Sequence, residues 1–546
     1  MVLLPLCFSL LFQAPAVPQP MMVVELPDPV ATMGELLHGP MQQSVVQSEI
    51  WALAKKRPEF AVAEAGWSFL LRPAGGNAEL FVASFAGDGL FLAAMPGVEG
   101  DAKQAADWVL LGFGHDGDLA QDCLMPPLQM QGIERAAFRG ESWEIMLDER
   151  ISLLREGNRF LVGSNRAYMK QLSTTPRADL DAWLQNPSSL VTDNEITPDL
   201  RGWILGDALR EDGFEEKPAN AAASYLVGEL HEALRTAPWL SMSFDIDGHS
   251  LQLEFTAPAS EEMRSTHRPF FPTLGEIPMP QLDQLILEGV FTRELATWWA
   301  GRADYLTERG LNETIEGDGA LKLLFGRDPA ADVFLHLEPE IRWLLAPLDE
   351  STATNLSVEY AALAMGFRFK QDAPKDLEQA FANAFLSAIT FANFDTGQSG
   401  QPTLEMNMNM DERGKMYSAA YPKWPHESKK PERYNFSPSL LILPDGELWI
   451  SSSLGLLEEI ASAPVKLVSA SGMWLEFQMQ DLMQIVERDR AHFVANRMLE
   501  EGGDLEAAEQ FVDLAFGLIR LIDSGSVRSF LKDDRMLLQL ELGFTP

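Results

Sequence analysis

Apolar residues follow two rhythms along the chain. In Ser224–Thr236 (SYLVGELHEALRT) they recur every three or four positions, the spacing of one helical face. In Ser250–Phe255 (SLQLEF) they alternate with polar residues, as a half-buried strand requires. The same succession returns at Gln510–Leu542: amphipathic helix, break, strand, polar turn, closing strand. Tyr225 falls on Phe511, Phe244 on Phe530 and Leu253 on Leu540, at an offset near 286 residues.

Three further stretches match in the same order. Glu156–Leu172 (EGNRFLVGSNRAYMKQL) parallels Pro444–Ile460 (PDGELWISSSLGLLEEI): hairpin turn, strand, Ser-rich break, short helix, with glycine in each turn where φ must be positive. Leu92–Phe113 parallels Ala362–Ile389, each read as a strand end, a loop and a helix N-capped by Asp101 or Asp372. A weaker pair centres on Trp203 and Trp474. Four matches in one order point to internal duplication, and no shorter period marks a solenoid or propeller.

Hairpin turns such as NMNMDERGKMY imply antiparallel pairing rather than βαβ crossovers. The expected class is therefore α+β: two tandem similar halves, each an antiparallel sheet with helices packed on one face. The expected division is a signal peptide at 1–16, a first repeat at 17–268, a Pro-rich linker at 269–281 and a second repeat at 282–546.

NRFLVGSNRAYMKQL, LLILPDGELWISSSLGLLEEI and LLFGRDPAADVFLHL carry a resemblance to large exported, uncharacterised bacterial proteins with two long internal repeats. The likeness implies an exported chain without catalytic activity or of unknown function. It brings no catalytic residues with it.

Charge narrows the partners. Lys and Arg number 42 against 80 Asp and Glu, a formal charge of −38, which repels phosphate backbones and makes nucleic acid an unsuitable partner. The basic cluster HESKKPERY (His426–Tyr434) lies among prolines and reads as a solvated loop. Val2–Phe12 is an apolar run too short to span a bilayer, with the length of a signal-peptide core. Ala14-Pro15-Ala16 supplies a small-x-small cleavage pattern, although no Lys or Arg precedes the run. The expectation is export to the periplasm or beyond, with no integral membrane segment once the signal is removed. Cys7 would leave with it, and Cys123 would stay as a single thiol without a disulfide partner.

Candidate chemistry is sparse. Asp395 in NFDTGQSG and Asp523 in LIDSGSV carry the Asp-[Thr/Ser]-Gly form in which two carboxylates share a proton in aspartic hydrolases. Both fall in the second half, however, each directly after a helical pattern, and the tripeptide is also a common turn. Asp116 and Asp245 open Asp-x-Asp-like stretches, but position twelve is Pro127 or Thr256 rather than the Glu that closes a calcium loop. No metal or other cofactor is expected. Alternation in LEMNMNM puts Met406, Met408 and Met410 on one face of a strand, and Met125 and Met130 lie in LMPPLQMQ. These methionines fill a core or line an apolar groove. The expected role is non-catalytic binding or structure, with a protein or an apolar small molecule as partner; the alternative is a hydrolase using Asp395 and Asp523.

Overall fold

The computed structural model describes residues 20–48, 51–52, 55–96, 107–184, 198–210, 220–259, 275–348, 355–425, 428–470, 472–501, 504–532 and 534–545. The expected signal segment, Cys7, Asp101 and residues 269–274 of the expected linker lie outside these residues. The chain folds into two compact units. One comprises the chain up to Gln47 together with Trp51–Asp212 and Pro238–Phe255. The other is formed mainly by Gly213–Ala237 and Thr256–Pro546.

Strands β1 (Met22–Leu26), β2 (Leu90–Met95), β3 (Asp107–Phe113), β4 (Ser142–Met146), β5 (Ser152–Glu156), β6 (Arg159–Gly163), β7 (Leu200–Leu205) and β8 (Trp239–Asp247) build the first unit's sheet. They pair antiparallel in the order β4-β5-β6-β3-β2-β1-β7-β8. A turn at Gly248 (φ 59°) leads into β9 (Ser250–Pro258). Alternation sorts the side chains by face. Val23, Phe91, Val109, Leu161 and Trp203 meet Met169 and Leu172 of α1 (Arg166–Thr174) and Leu180 of α2 (Arg177–Leu184). Trp143, Ile145, Leu153 and Phe160 point the other way and pack on Ala120 and Leu128 of the helix Gly117–Met130.

The second unit adds β10 (Glu276–Pro280), β11 (Leu287–Thr292), β12 (Glu340–Ala346), β13 (Ala362–Arg368), β14 (Glu405–Asp411), β15 (Gly414–Ala420), β16 (Ser439–Ile442), β17 (Glu447–Ser451), β18 (Val465–Ser469), β19 (Met473–Gln478), β20 (Ile522–Lys532) and β21 (Arg535–Phe544). Its sheet runs β14-β15-β16-β17-β13-β12-β11-β19-β20-β21, antiparallel throughout. A separate β10–β18 ribbon lies beside it. One face, with Leu344, Ala364 and Trp449, packs on that ribbon and on Leu456, Leu457 and Ile460 of α3 (Leu454–Ser462). The other face, with Tyr417, Leu440 and Leu448, packs on Leu377 and Phe381 of α4 (Leu377–Gln398).

Helices therefore cover both faces in each unit, not one as the pattern suggested. Strands such as Ser152–Glu156 and Ser439–Ile442 are buried on both faces, and the adjoining apolar residues of SLLI follow from that. Three local expectations change as well. Asp107–Phe113, read as part of an Asp101-capped helix, is β3. The N-cap of α4 is Asp376, four residues past Asp372. Glu276–Pro280, read as the end of a linker, is a strand with Ile277 and Met279 buried. Its prolines fit because a two-stranded ribbon leaves an open edge that needs no N–H.

The second unit's core encloses a charged network. Arg342 on β12 is fully buried, with its guanidinium over the Trp449 ring (4.9 Å). Nη1 donates to the Pro278 carbonyl (3.2 Å) and pairs with Glu447 Oε1 (2.9 Å), and Nη2 donates to the Phe367 carbonyl (3.0 Å). Arg368 bridges Glu447 (2.7 Å) and approaches Glu340 (3.7 Å). Burial pushes the Glu340 carboxyl up; at Glu447 burial acts the same way, but Arg342 and Arg368 outweigh it and hold the carboxyl below its ordinary value.

Gly366, between Arg342 and Trp449 in register, lets the indole lie flat, because a Cβ there would sit 2.7 Å from a ring carbon. Gly366→Ala is expected to destabilise the protein by about 1–3 kcal/mol through overpacking, read from a urea melt. Glu447→Gln strips the buried guanidinium of its counter-charge and is expected to cost about 3 kcal/mol at pH 7. Because the folded pKa of Glu447 is depressed, its contribution is complete above the ordinary carboxyl value and lost as pH falls through the folded one. The gap between wild type and variant should accordingly close below about pH 4.5. A gap constant from pH 7 to pH 3 would contradict this assignment.

Candidate functional site

Two features of the second unit stand out at its surface. The first is a pocket of about 590 Å³ lined by Ser357, Thr396, Gln401, Tyr421, Pro431, Glu432 and Arg433. Asn435 builds it. Its buried side chain donates to the carbonyls of Val358 (2.8 Å) and Glu432 (2.7 Å) and accepts from the Tyr360 N–H (2.8 Å). The segment from Asn355 is thereby fixed against the Pro-rich loop, a join continued by Lys430 N–H to Asn355 O and Ser357 N–H to Lys430 O. The loop read from sequence as freely solvated is thus tied down where it is described.

Tyr421 is the aromatic residue in the lining, and further rings pack beside and behind it. Tyr421 and Trp424 pack on Tyr434 at centroid distances of 5.3 and 5.5 Å, and the Arg433 guanidinium lies 5.9 Å from the Tyr421 centroid while bonding to Gln401. Tyr360 stacks on Phe436 and reaches Glu432 Oε2 (3.4 Å). Burial and the neighbouring Glu432 carboxylate push its phenol up, so it remains a neutral donor. Hydroxyls, an amide, one carboxylate and one guanidinium against aromatic rings suit hydrogen-bonded recognition of a polar ligand. No histidine or cysteine is among the lining residues.

The second feature is the methionine strip. Met406, Met408 and Met410 do share a face of β14, but they are 48%, 61% and 58% exposed. They belong to none of the described core clusters, and among the described residues β14 ends the sheet. Phe391 and Phe394, on α4, are exposed too. The Asn393 side chain clips that helix to Leu404 through two hydrogen bonds (2.7 and 2.8 Å), just ahead of the strip. The other two methionines belong to the first unit. Met125 is half-buried against its core and Met130 is exposed at a helix end.

Asp395 sits in the last turn of α4, exposed, and its carbonyl accepts from Ser399. Asp523 is a strand residue of β20 whose carboxylate accepts from Gln480 (2.5 Å). Neither lies in the loop that an aspartic dyad uses, and among the described residues no hydrogen bond joins them. Asp116 is an N-cap, accepting from Asp118 and Leu119 N–H. Burial pushes the Cys123 thiol up, which opposes thiolate chemistry. Among the described residues no His, Cys, Asp and Glu cluster could hold a metal ion, and no helix is long and apolar enough to cross a membrane. Sequence reading missed Asn435 and Tyr360. Apart from the Asn435 bond to the Glu432 carbonyl, their hydrogen-bond partners come from segments 72–77 residues away, and no local motif marks them.

The class these features define is a mixed α+β protein with antiparallel sheets. No family model matches the chain, and no curated protein matches it. Two solved structures of TP0453 are similar. Crystal form I is 7% identical with a TM-score of 0.22, covering 47% of this chain and 86% of that one; crystal form III is 8% identical with a TM-score of 0.19, covering 47% and 88%. Similarity at this level carries no argument about function. The pocket itself is testable: Asn435→Ala leaves buried backbone groups without partners and should cost about 2 kcal/mol in a urea melt. A variant within 0.5 kcal/mol of wild type, about the scatter of ordinary surface changes, would show that Asn435 does not hold the pocket together.

Proposed function

We propose that this is an exported, acidic α+β protein of two tandem repeats, with a non-catalytic binding or structural role outside the cytoplasm and a protein as its partner. The observation that carries the choice of partner is the exposed Met406–Met408–Met410 face at a sheet edge. Three adaptable apolar side chains in water suit contact with another protein surface. An enclosed apolar ligand is less well supported, since both faces of each sheet are filled by core side chains and helices.

Duplication is supported by the strand orders. β4-β5-β6-β3-β2-β1-β7-β8 and β15-β16-β17-β13-β12-β11-β19-β20 trace one path, with α1 and α3 each following the strand that pairs with β3 or β13. β14 is then an addition of the second copy. Export is supported by the apolar run and the small-x-small pattern at Ala14–Ala16.

Native mass spectrometry of protein exported to a bacterial periplasm and purified without detergent tests both parts. The expected mass is that of a chain starting at Val17 with no small molecule attached. A co-purifying lipid would replace the protein-partner reading with a carrier, and a chain found only in the cytoplasmic fraction with residues 1–16 retained would remove export.

A further inference from the structure

Among the described residues, β14 pairs with β15 alone, so its other edge presents an unpaired ladder of N–H and C=O groups. All seven of its residues are exposed. Met406, Met408 and Met410 lie on the face shared with Tyr417, while Glu405, Asn407, Asn409 and Asp411 lie on the opposite one. Arg413 bridges Asp411 (2.7 Å). Glu405 and the adjacent turn residue Glu412 have no ion-pair partner among the described residues, so uncompensated negative charge brackets the strip. Natural edges are usually blunted by lysine, proline or a bulge; β14 has none of these.

We propose that β14 is completed by an extended segment of a partner protein in which apolar residues alternate with lysine or arginine. The inference rests on the binding role proposed above and names the partner's chemistry. In a strand added to this edge, every second side chain lies over the methionines and the intervening ones lie over the acidic face. An apolar–cationic alternation satisfies both faces at once: a cation opposite Glu405 adds a favourable cross-strand pair, and Glu412 in the turn past the strand adds negative charge at the other end. A second copy of β14 fits less well. The strand reads nearly the same in both directions (EMNMNMD), and antiparallel pairing centred on Met408 would set Glu405 against Asp411 at each end.

The test is fluorescence anisotropy with the full-length protein and labelled nine-residue peptides at low salt. One alternates Lys with Leu and Val, one has the same composition with the lysines in a block, and one carries Glu in place of Lys. The alternating cationic peptide should bind at least about tenfold tighter than either control. Met406→Ser, Met408→Ser and Met410→Ser combined should remove at least about tenfold of that affinity, and Glu405→Lys with Glu412→Lys about three- to tenfold, less at higher salt. In wild type, bound peptide should slow amide exchange in β14, a readout that needs no variant.

Equal binding of the alternating and blocked peptides would overturn strand addition, as would unchanged β14 exchange. A dimer in sedimentation that the triple serine variant dissolves would give the edge to a second copy and overturn the inference as well. An exported protein crosslinked elsewhere on the surface, with no peptide bound, would remove the strand inference and leave the binding reading standing. A lipid found by native mass spectrometry would remove that reading itself.

Discussion

A guanidinium shut away from water depends on protein partners, and that constraint organises the second unit, although Arg342 Nε is left without one. Arg342 on β12 meets Pro278 of β10, Phe367 of β13 and Glu447 of β17, so one side chain fixes four strands, including the ribbon outside the main sheet. Its remaining face lies on Trp449, which is fully buried and has room only because Gly366 lacks a Cβ. Attraction alone does not explain such a cluster, since desolvation offsets most of the Coulomb gain. What it supplies is specificity: shifting β13 by one residue would take Gly366 from under the indole and the Phe367 carbonyl from the guanidinium.

With the sheet interior so filled on both faces, the molecule has its reactive freedom at its margins. The pocket bounded by Tyr421, Glu432 and Arg433 arises where two loops are tied together by Asn435 rather than inside a core. The methionine strip arises where the ladder simply stops. Both are surface features supported by rigid elements: α4 carries Thr396 of the pocket and, through Asn393, holds the start of β14.

The chain's own pattern announced much of this and misled in instructive places. Alternation in EMNMNMD put the three methionines on one face correctly, since period two is a local property of extended backbone. It could not say whether that face was covered, because cover is supplied by other segments. Asp-Thr-Gly and Asp-Ser-Gly looked alike as tripeptides, yet one finishes a helix and the other sits in a strand. Local context outside the tripeptide decided each. The match to Ala362–Ile389 and an N-cap at Asp101 point to helix at Asp107–Phe113, yet its nearly continuous apolar run is also what a buried strand looks like.

The sequence by itself determined the mixed helix-and-strand character, the antiparallel hairpins with glycine turns at Gly157 and Gly446 and the strong negative charge. These follow from short-range periodicity, turn stereochemistry and composition. Only the tertiary structure decided that helices cover both faces of each sheet, that Glu276–Pro280 is a strand, that Arg342 is buried against Trp449, and that β14 is left at the edge with its methionines in water. Each depends on which distant segments meet, and burial is a property of that meeting rather than of any residue's neighbours in the chain.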